Sequence, residues 1–580
     1  MDYESLLNDK QLAAVKSSSQ YLRIIAGAGS GKTRVLTYRI SYLISNFHID
    51  PSRILAIAFT NKVAHEMNER AAKLINELLG YTPNLHISTF HAFCSKFLRI
   101  EHEAFGYPSH FTIFDEDDQK RLIKNVAVEF GYKKSDEIVK IATDYIRRKK
   151  AKGIYPWDIE VKWESFKDEK TCLKMYTRYE EAKTECYALD FDDLLLKTIM
   201  VLEGDTDIQY KWSHRFDHIL VDEFQDTNDI QYKLLKLLTC QNTALYVVGD
   251  PDQTIYTWRG ANQEIIIDFE RSFPGAETVI LNENYRSTKK ILKAANTLIV
   301  KNKKRVAKDL FTNHAEGEEI EVNNLPNAED EASWVAGKIA TIGREQRNEE
   351  GPVYDNVAVL YRSSYMTRSF ESALKDRQIP YRIFGGVRFY ERMEVKDLLA
   401  YFNLLTNPLD NIAFERIANV PKRSVGDTSI DRIREEAKAH GVSEYNYIAD
   451  IHKYIDETAV PRRVINSLSI MIELMEKTKD KLKEGLEVYS AILQNFTTEL
   501  GNFDYLKDIQ EPDEDRIGNV NALFDDISNF IRKNPGAPFE EYLANVSLLS
   551  AQDDINGGNY VSLMTIHVAK GLEFDHVFVI

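Results

Sequence analysis

The stretch YLRIIAGAGSGKT, residues 21–33, constrains the fold of this chain more than any other. Leu22 to Ile25 form a short apolar run of the kind that makes a buried strand. A glycine-rich turn follows, and then Leu36, Ile40, Leu43 and Ile44 recur at helical spacing on one face. Strand, glycine turn and helix predict a phosphate-binding loop. Gly27, Gly29 and Gly31 let the backbone curl so that several N–H groups face inward. The start of the helix adds partial positive charge. In that geometry Lys32 reaches the outer phosphates and the Thr33 hydroxyl ligates Mg²⁺. Ala26 stands where a first glycine is usual. The competing reading is a glycine-rich βα turn without a ligand, and the flanking strand and helix weigh against it.

The chain has 580 residues, which is room for several domains. No apolar run is long enough to span a bilayer, and the N-terminus MDYESLLNDK lacks the basic-then-apolar pattern of an export signal. Cys94, Cys172, Cys186 and Cys240 lie far apart and fit neither a zinc spacing nor a disulfide framework. A reducing cytoplasm is the expectation. The net charge of −16 argues against a protein that coats nucleic acid indiscriminately, but leaves room for a local basic groove.

Further signals follow in order. Asn8 is positioned to cap a short helix, and Gln11 carries the donor and acceptor needed to read an adenine edge, against the plainer reading of a surface glutamine. Residues 54–59, ILAIAF, read as a second buried parallel strand with Thr60, Asn61 and Lys62 at its ligand-binding end. His65-Glu66 lacks the second histidine of a zinc site, since Glu69 stands there. Residues 87–99 carry hydroxyls, His91 and two cations, which suit a phosphate backbone or simply a capped amphipathic helix. From about 101 to 189 helical patterns dominate. This stretch holds Arg147, Arg148, Lys149, Lys150 and Lys152, either a phosphate-contacting patch or a solvated helix end.

An apolar strand then ends in Asp222-Glu223. A carboxylate at that tip can hold the Mg²⁺ shell, and the next can orient a hydrolytic water. Beyond the following strand, Gln253 is placed to sense a γ-phosphate, and Tyr256 and Trp258 put aromatic rings beside Arg259, where bases can stack. After another strand Tyr285 is a second stacking candidate and Arg286 a phosphate ligand. Lys301, Lys303, Lys304, Arg305 and Lys308 form another basic run. A second α/β segment starts near 318, with strands at Val357–Tyr361 and Tyr381–Phe384. Helical patterns return from about 387 to 550 and include a turn, residues 421–428, whose free N–H groups and two cations suit a duplex backbone. Strand character resumes over 561–580 and the chain stops inside it, so the expectation is a truncated protein.

Taken together, LNDKQ (7–11), AGAGSGKT (26–33), FTNKVAHEM (59–67), STFHAF (88–93), DFDDLL (190–195), VDEFQDTN (221–228), VGDPDQTIYTWRGA (248–261), NYRS (284–287), GGVRFYER (385–392) and MTIHVAKGLEF (564–574) resemble the superfamily 1 DNA helicases of the UvrD/Rep/PcrA group. The likeness runs the whole length of the chain and is nearest to the PcrA branch. It implies an α/β protein with two RecA-like P-loop cores, parallel sheets with helices on both faces, each carrying an inserted helical subdomain. The first core would comprise 1–100 and 190–280, with its insert at 101–189. The second core would comprise 281–386 and 551–580, with its insert at 387–550, a duplex-contacting module.

The resemblance further implies an ATP-dependent 3′→5′ helicase that moves on single-stranded DNA and unwinds 3′-tailed duplex, in repair or replication, monomeric in isolation. ATP and Mg²⁺ are the implied cofactors. By matching position, Gln11 would recognise adenine and Tyr285 stack on it. Ala26, Gly27, Ala28, Gly29, Ser30, Gly31, Lys32, Thr33 and Arg34 would cradle the phosphates, with Thr33 and Asp222 holding Mg²⁺. Glu223 would be the general base. Gln253, Arg259 and Arg286 would contact the γ-phosphate, and Glu573 the sugar. Phe59, Thr60, Asn61, His91, Tyr256 and Trp258 would line the single-strand path.

Two departures qualify the likeness. Ser424-Val425-Gly426 replaces the family's Gly-Ile-Gly in the second insert, and a bulkier first position weakens close approach to duplex. The family's final motif, with a second arginine finger, does not occur before residue 580. Such a finger is worth about 10³–10⁵ in rate, so slow hydrolysis by this chain is expected. The alternatives are an ATP-gated DNA-binding module without productive hydrolysis, the helicase part of a helicase–nuclease, and a P-loop protein acting on something other than DNA.

Overall fold

A computed structural model describes residues 3–159, 167–349, 351–363, 366–384, 389–483, 489–509, 515–548 and 558–580. The expected boundaries at 386/387 and 550/551, and the GGVR part of the GGVRFYER stretch, lie outside the described residues. The chain forms two compact units. One comprises Met1–Phe90, Leu202–Arg388 and Leu549–Ile580; the other comprises His91–Val201 and Phe389–Leu548.

The first unit is α/β. Its strands are β1 (Tyr21–Ala26), β2 (Ile54–Ala58), β3 (His86–Thr89), β6 (His218–Val221), β7 (Ala244–Gly249) and β8 (Glu277–Leu281), with β4 (Thr112–Phe114) and β5 (Ala188–Asp190) belonging to the other unit. They form one sheet in the order β3-β2-β6-β7-β1-β8, with every pairing parallel. All five residues of β2 and all but the first of β1 are buried, the continuous apolar run that a strand covered on both faces requires. Ala26 is the fully buried last residue of β1, so the missing glycine falls in the strand and not in the loop. Because the strands are parallel, the loops after β1, β2, β6, β7 and β8 leave from one edge, and that edge gathers the candidate site.

A second parallel sheet in the same unit runs β10-β11-β9-β12, from β9 (Val357–Tyr361), β10 (Tyr381–Phe384), β11 (Val561–Thr565) and β12 (His576–Val579). Its core packs Val357, Val359, Val561 and Leu563 against Val335, Ile339, Phe370 and Leu374 of two helices. The two strands expected over 357–384 are found where the pattern puts them.

Among the described residues the second unit is helical apart from the short parallel pair β4–β5, which the loss of strand patterns over 101–189 did not foretell. Residues 393–547 form a large apolar core of their own, built on Leu398, Tyr401, Phe414, Leu468 and Phe524. The turn at 421–428 does not present free N–H groups throughout. The Asn419 side chain accepts from the N–H groups of Arg423 (2.8 Å) and Val425 (3.2 Å), and the Arg423 guanidinium donates to the carbonyls of Ile417 and Val420.

Candidate nucleotide site and aromatic track

The loop after β1 is shaped by glycines at two places where nothing else fits. Gly31 caps helix Lys32–Ser45 at φ 82°, and Gly29 lies at φ 65° with a would-be Cβ only 2.6 Å from the Asn284 amide. The loop is held from behind. Ser30 donates to the Gly27 carbonyl (2.7 Å), Asn284 Nδ2 donates to the Ala28 carbonyl (2.6 Å), and the Tyr285 N–H donates to the Gly29 carbonyl (2.9 Å).

Helix Lys32–Ser45 aims its first two side chains at the tip of β6. Lys32 Nζ lies 2.9 Å from Glu223 Oε1 and 3.0 Å from Oε2. The Thr33 hydroxyl donates to Asp222 (3.4 Å), and Gln253 Oε1 is 3.4 Å from Lys32 Nζ. Glu223 adopts φ 47°, an uncommon conformation for a non-glycine residue that turns its carboxylate back toward the lysine. Burial sets the charge states. It raises the Asp222 carboxyl to about 7, with the adjacent Glu223 charge adding to the effect. Burial opposes ionisation of Glu223 too, but Lys32 and then Lys570 outweigh it and hold that carboxyl down at about 2. Burial also works against the Lys32 ammonium, yet Glu223 and Asp222 carry it above its ordinary value. A hydroxyl and a carboxyl side by side are both hard oxygen donors, a pair that fits Mg²⁺, and a cation there would offset the burial that opposes ionisation of Asp222.

Beside this cluster lies a cavity of about 360 Å³ lined by Leu6, Asn8, Gln11, Gly29, Gly31, Arg34, Tyr285, Arg286 and Glu573. Gln11 is no surface glutamine. It is 3% exposed, accepts from the Asn8 N–H (3.2 Å) in a capping box and donates to the Ser30 carbonyl (3.0 Å). Tyr285 is half-exposed, its hydroxyl fixed by Glu283 (2.7 Å) and Asn8 (2.6 Å). Arg286 rests on Glu573 (2.8 Å), which brings a residue of the second α/β segment to the rim.

The aromatic residues gather nearby on loops after β2 and β7. The Phe59 and Tyr256 rings stack at 5.0 Å and 24°, Trp258 stands 6.4 Å from Tyr256, and His567 packs edge-on to Trp258 at 6.2 Å. Only Trp258, 62% exposed, offers a broad open face. Tyr256 is 7% exposed and donates to the His567 carbonyl (3.0 Å), so it supports the track rather than forming its surface. Thr60 is also buried, its hydroxyl capping helix Asn61–Leu79 by accepting from the Val63 N–H (3.2 Å), and Asn61 meets the Thr89 hydroxyl (3.3 Å). Arg259 lies 4.7 Å from the Trp258 centroid, beside the aromatic rings, and is not among the residues that line the cavity. His91 belongs to the second unit, with its ring against Phe191 at 6.2 Å.

One residue not foreseen joins these groups. Lys570 donates to the Asp226 carboxylate and to the Gln253 carbonyl (2.9 Å), and stands 5.2 Å from the Tyr256 ring. It lies within the MTIHVAKGLEF stretch, but a lysine before a glycine carries no signal of its own. The basic run 301–308 is not a free patch. Lys308 is buried on Asp250 (2.6 Å) and Asp252 (2.8 Å), which fixes the loop that carries Gln253.

Two family models match the chain: the UvrD/REP helicase N-terminal domain over residues 7–274 and the UvrD-like helicase C-terminal domain over residues 279–580. The chain belongs to the UvrD-like helicase family. It is 37% identical to an ATP-dependent DNA helicase PcrA from Leuconostoc citreum, across 99% of this chain and 76% of that protein. It is 37% identical to a probable DNA helicase II homolog from Mycoplasma capricolum (99% and 78%), and 36% identical to the PcrA helicase of Staphylococcus aureus (99% and 77%). For a UvrD-like helicase the convergence of Lys32, Asp222, Glu223 and Gln253 is the notable geometry, because it unites three loops far apart in sequence.

Proposed function

We propose that this protein is an ATP-dependent DNA helicase that translocates 3′→5′ on single-stranded DNA, using the loop edge of the first sheet as its ATPase site. The observation that carries the reading is the Lys32–Glu223–Gln253 cluster beside a base-sized cavity, joined through Lys570 to the aromatic track. Tyr285 stacks on the adenine and Gln11 meets its edge, both within the lining of the cavity. The loop N–H groups between Gly27 and Thr33 hold the phosphates. Lys32 exchanges Glu223 for phosphate oxygens, which frees Glu223 to take a proton from the attacking water. Thr33 and Asp222 would hold Mg²⁺, which would supply positive charge against the phosphate oxygens. Arg286 leaves Glu573 for the γ-phosphate, which releases the second sheet's segment from the rim. Gln253 reads the γ-phosphate, and the Lys570–Gln253 contact passes that state to Tyr256, Phe59 and Trp258.

In this reading the two sheets are motor cores, and the helical stretches of the second unit are their inserts, 101–189 and 387–550. No helix among the described residues is long and apolar enough to cross a membrane. The test is Mg²⁺-ATP turnover with and without oligo(dT), beside Lys32→Ala, together with unwinding of 3′-tailed and 5′-tailed duplexes. DNA-stimulated turnover lost in the variant, with unwinding from the 3′ tail alone, is the expected result. Turnover indifferent to DNA, or unwinding from the 5′ tail, would overturn the reading.

A further inference from the structure

The second unit displays another indole as openly as Trp258. Trp157 is 62% exposed. Helix Glu137–Lys150 ends in the basic group noted in the sequence, but that group divides. Lys150 turns inward and places its ammonium 2.6 Å from both Asp190 and Asp193, in a buried knot that also holds Lys183 and Glu180. Arg147, Arg148 and Lys152 stay exposed. The chain then rounds the end of the helix into a single turn, Pro156–Asp158.

Tyr155 is locked at that turn. It is 6% exposed, its hydroxyl donates to Asp193 (3.2 Å) and its N–H donates to Asp158 (3.1 Å). Trp157 lies flat on this ring, at 4.6 Å between centroids and 9° between planes. The Lys197 ammonium is 5.2 Å from the Tyr155 centroid and 5.9 Å from that of Trp157. These three distances form an open triangle and not a line. Lys197 therefore flanks the pair and does not sit over the outer face of the indole. Among the described residues Lys197 makes no ion pair. A flat, pre-ordered ring with a clear face and an unpaired cation at its edge matches one nucleobase and its phosphate.

We propose that Trp157 is a stacking step for single-stranded DNA on the second unit, its outer face taking one unpaired base and Lys197 the adjoining phosphate. The proposal rests on the DNA-binding reading above and adds a contact distant in sequence from Trp258. Anisotropy of fluorescein-labelled oligo(dT) with the unmodified chain, Trp157→Ala, Trp157→Phe and Trp258→Ala tests it. Trp157→Ala is expected to weaken binding roughly 5- to 100-fold, with Trp157→Phe keeping most of the affinity. If Trp157→Ala binds like the parent while Trp258→Ala binds less, Trp157 is not a DNA contact and the proposal is overturned. If neither substitution matters, or the unmodified chain does not bind, the DNA reading itself falls and this proposal falls with it. Photocrosslinking of 5-iodouracil oligonucleotides to the unmodified chain guards against misfolded variants. An adduct at Trp157 supports the step, and adducts confined to other residues overturn it.

Discussion

Lys570 ends on Asp226, 344 positions away in sequence, and the ion pair closes the space between the loop after β6 and the segment after β11. The Asp226 side chain has no exposure and that of Lys570 is 9% exposed. Burial holds the Asp226 carboxyl up at about 6 despite the lysine. Removing one partner of such a pair leaves a charge with nowhere to go. Lys570→Ala is expected to destabilise the first unit by about 3 kcal/mol, the lower end for a broken buried pair because Asp226 can protonate. Adding Asp226→Asn should restore most of that loss. Thermal unfolding of both single variants and the double variant measures the coupling; simple additivity would show that the pair is not a unit.

Glu223 is held ionised by Lys32, and in the proposed reading it takes the proton of the attacking water. Glu223→Gln keeps the size of the side chain and gives up the base. The expected result is a fall in kcat of roughly 10²- to 10⁴-fold with little change in KM for ATP. Steady-state kinetics decide it, and a variant that turns over at the parent rate would move the base elsewhere.

Tyr285 is fixed by hydrogen bonds with Glu283 and Asn8, so on the proposed reading its ring needs little ordering to stack on a base. Tyr285→Ala should raise KM for ATP by about 5- to 100-fold, the worth of one stacked base. Tyr285→Phe should raise it far less. Equal effects of the two would mean that the hydroxyl network matters and the stack does not.

His218 starts β6. Burial, reinforced by the Arg39 charge, lowers its imidazole to about 4 from the ordinary 6.5. The unfolded chain takes up this proton first as pH falls, so the contribution is intact above about 6.5 and is lost progressively down to about 4. The total is on the order of 3 kcal/mol. Buried acids such as Asp226 and Asp222, with raised values, act in the opposite sense. A variant comparison therefore isolates the histidine. Tm should drop less between pH 7.5 and 5 in His218→Gln than in the parent, and parallel drops would contradict the assignment.

The legible parts of the molecule were those where one local pattern forces one geometry. Leu22–Ile25 with Gly29, Gly31 and Lys32 allows hardly anything but a strand, a curled loop and a helix start, and Val357–Tyr361 is too evenly apolar to be other than a covered strand. The cations were less legible. Lys150, Lys308 and Arg147 look alike in sequence, yet two are buried on carboxylates that arrive from elsewhere in the chain. Charge says nothing about direction until the partner is placed. The same holds for Tyr256, whose burial depends on His567, and for Lys570, whose meaning lies wholly in Asp226 and Gln253. Long-range pairing decided these, and one sequence read along its length does not contain it.

The Arg286–Glu573 pair has a different significance. Both side chains reach solvent, Arg286 38% and Glu573 70% exposed, where an ion pair is worth at most about 1 kcal/mol. On the proposed reading, Glu573 parks the guanidinium at the rim at almost no energetic cost and would yield it readily to a stronger anion. When that anion departs, the same carboxylate would be there to reclaim the arginine. A motor must let go as reliably as it grips, and a weak resident competitor for its gripping hand would give each release a place to return to.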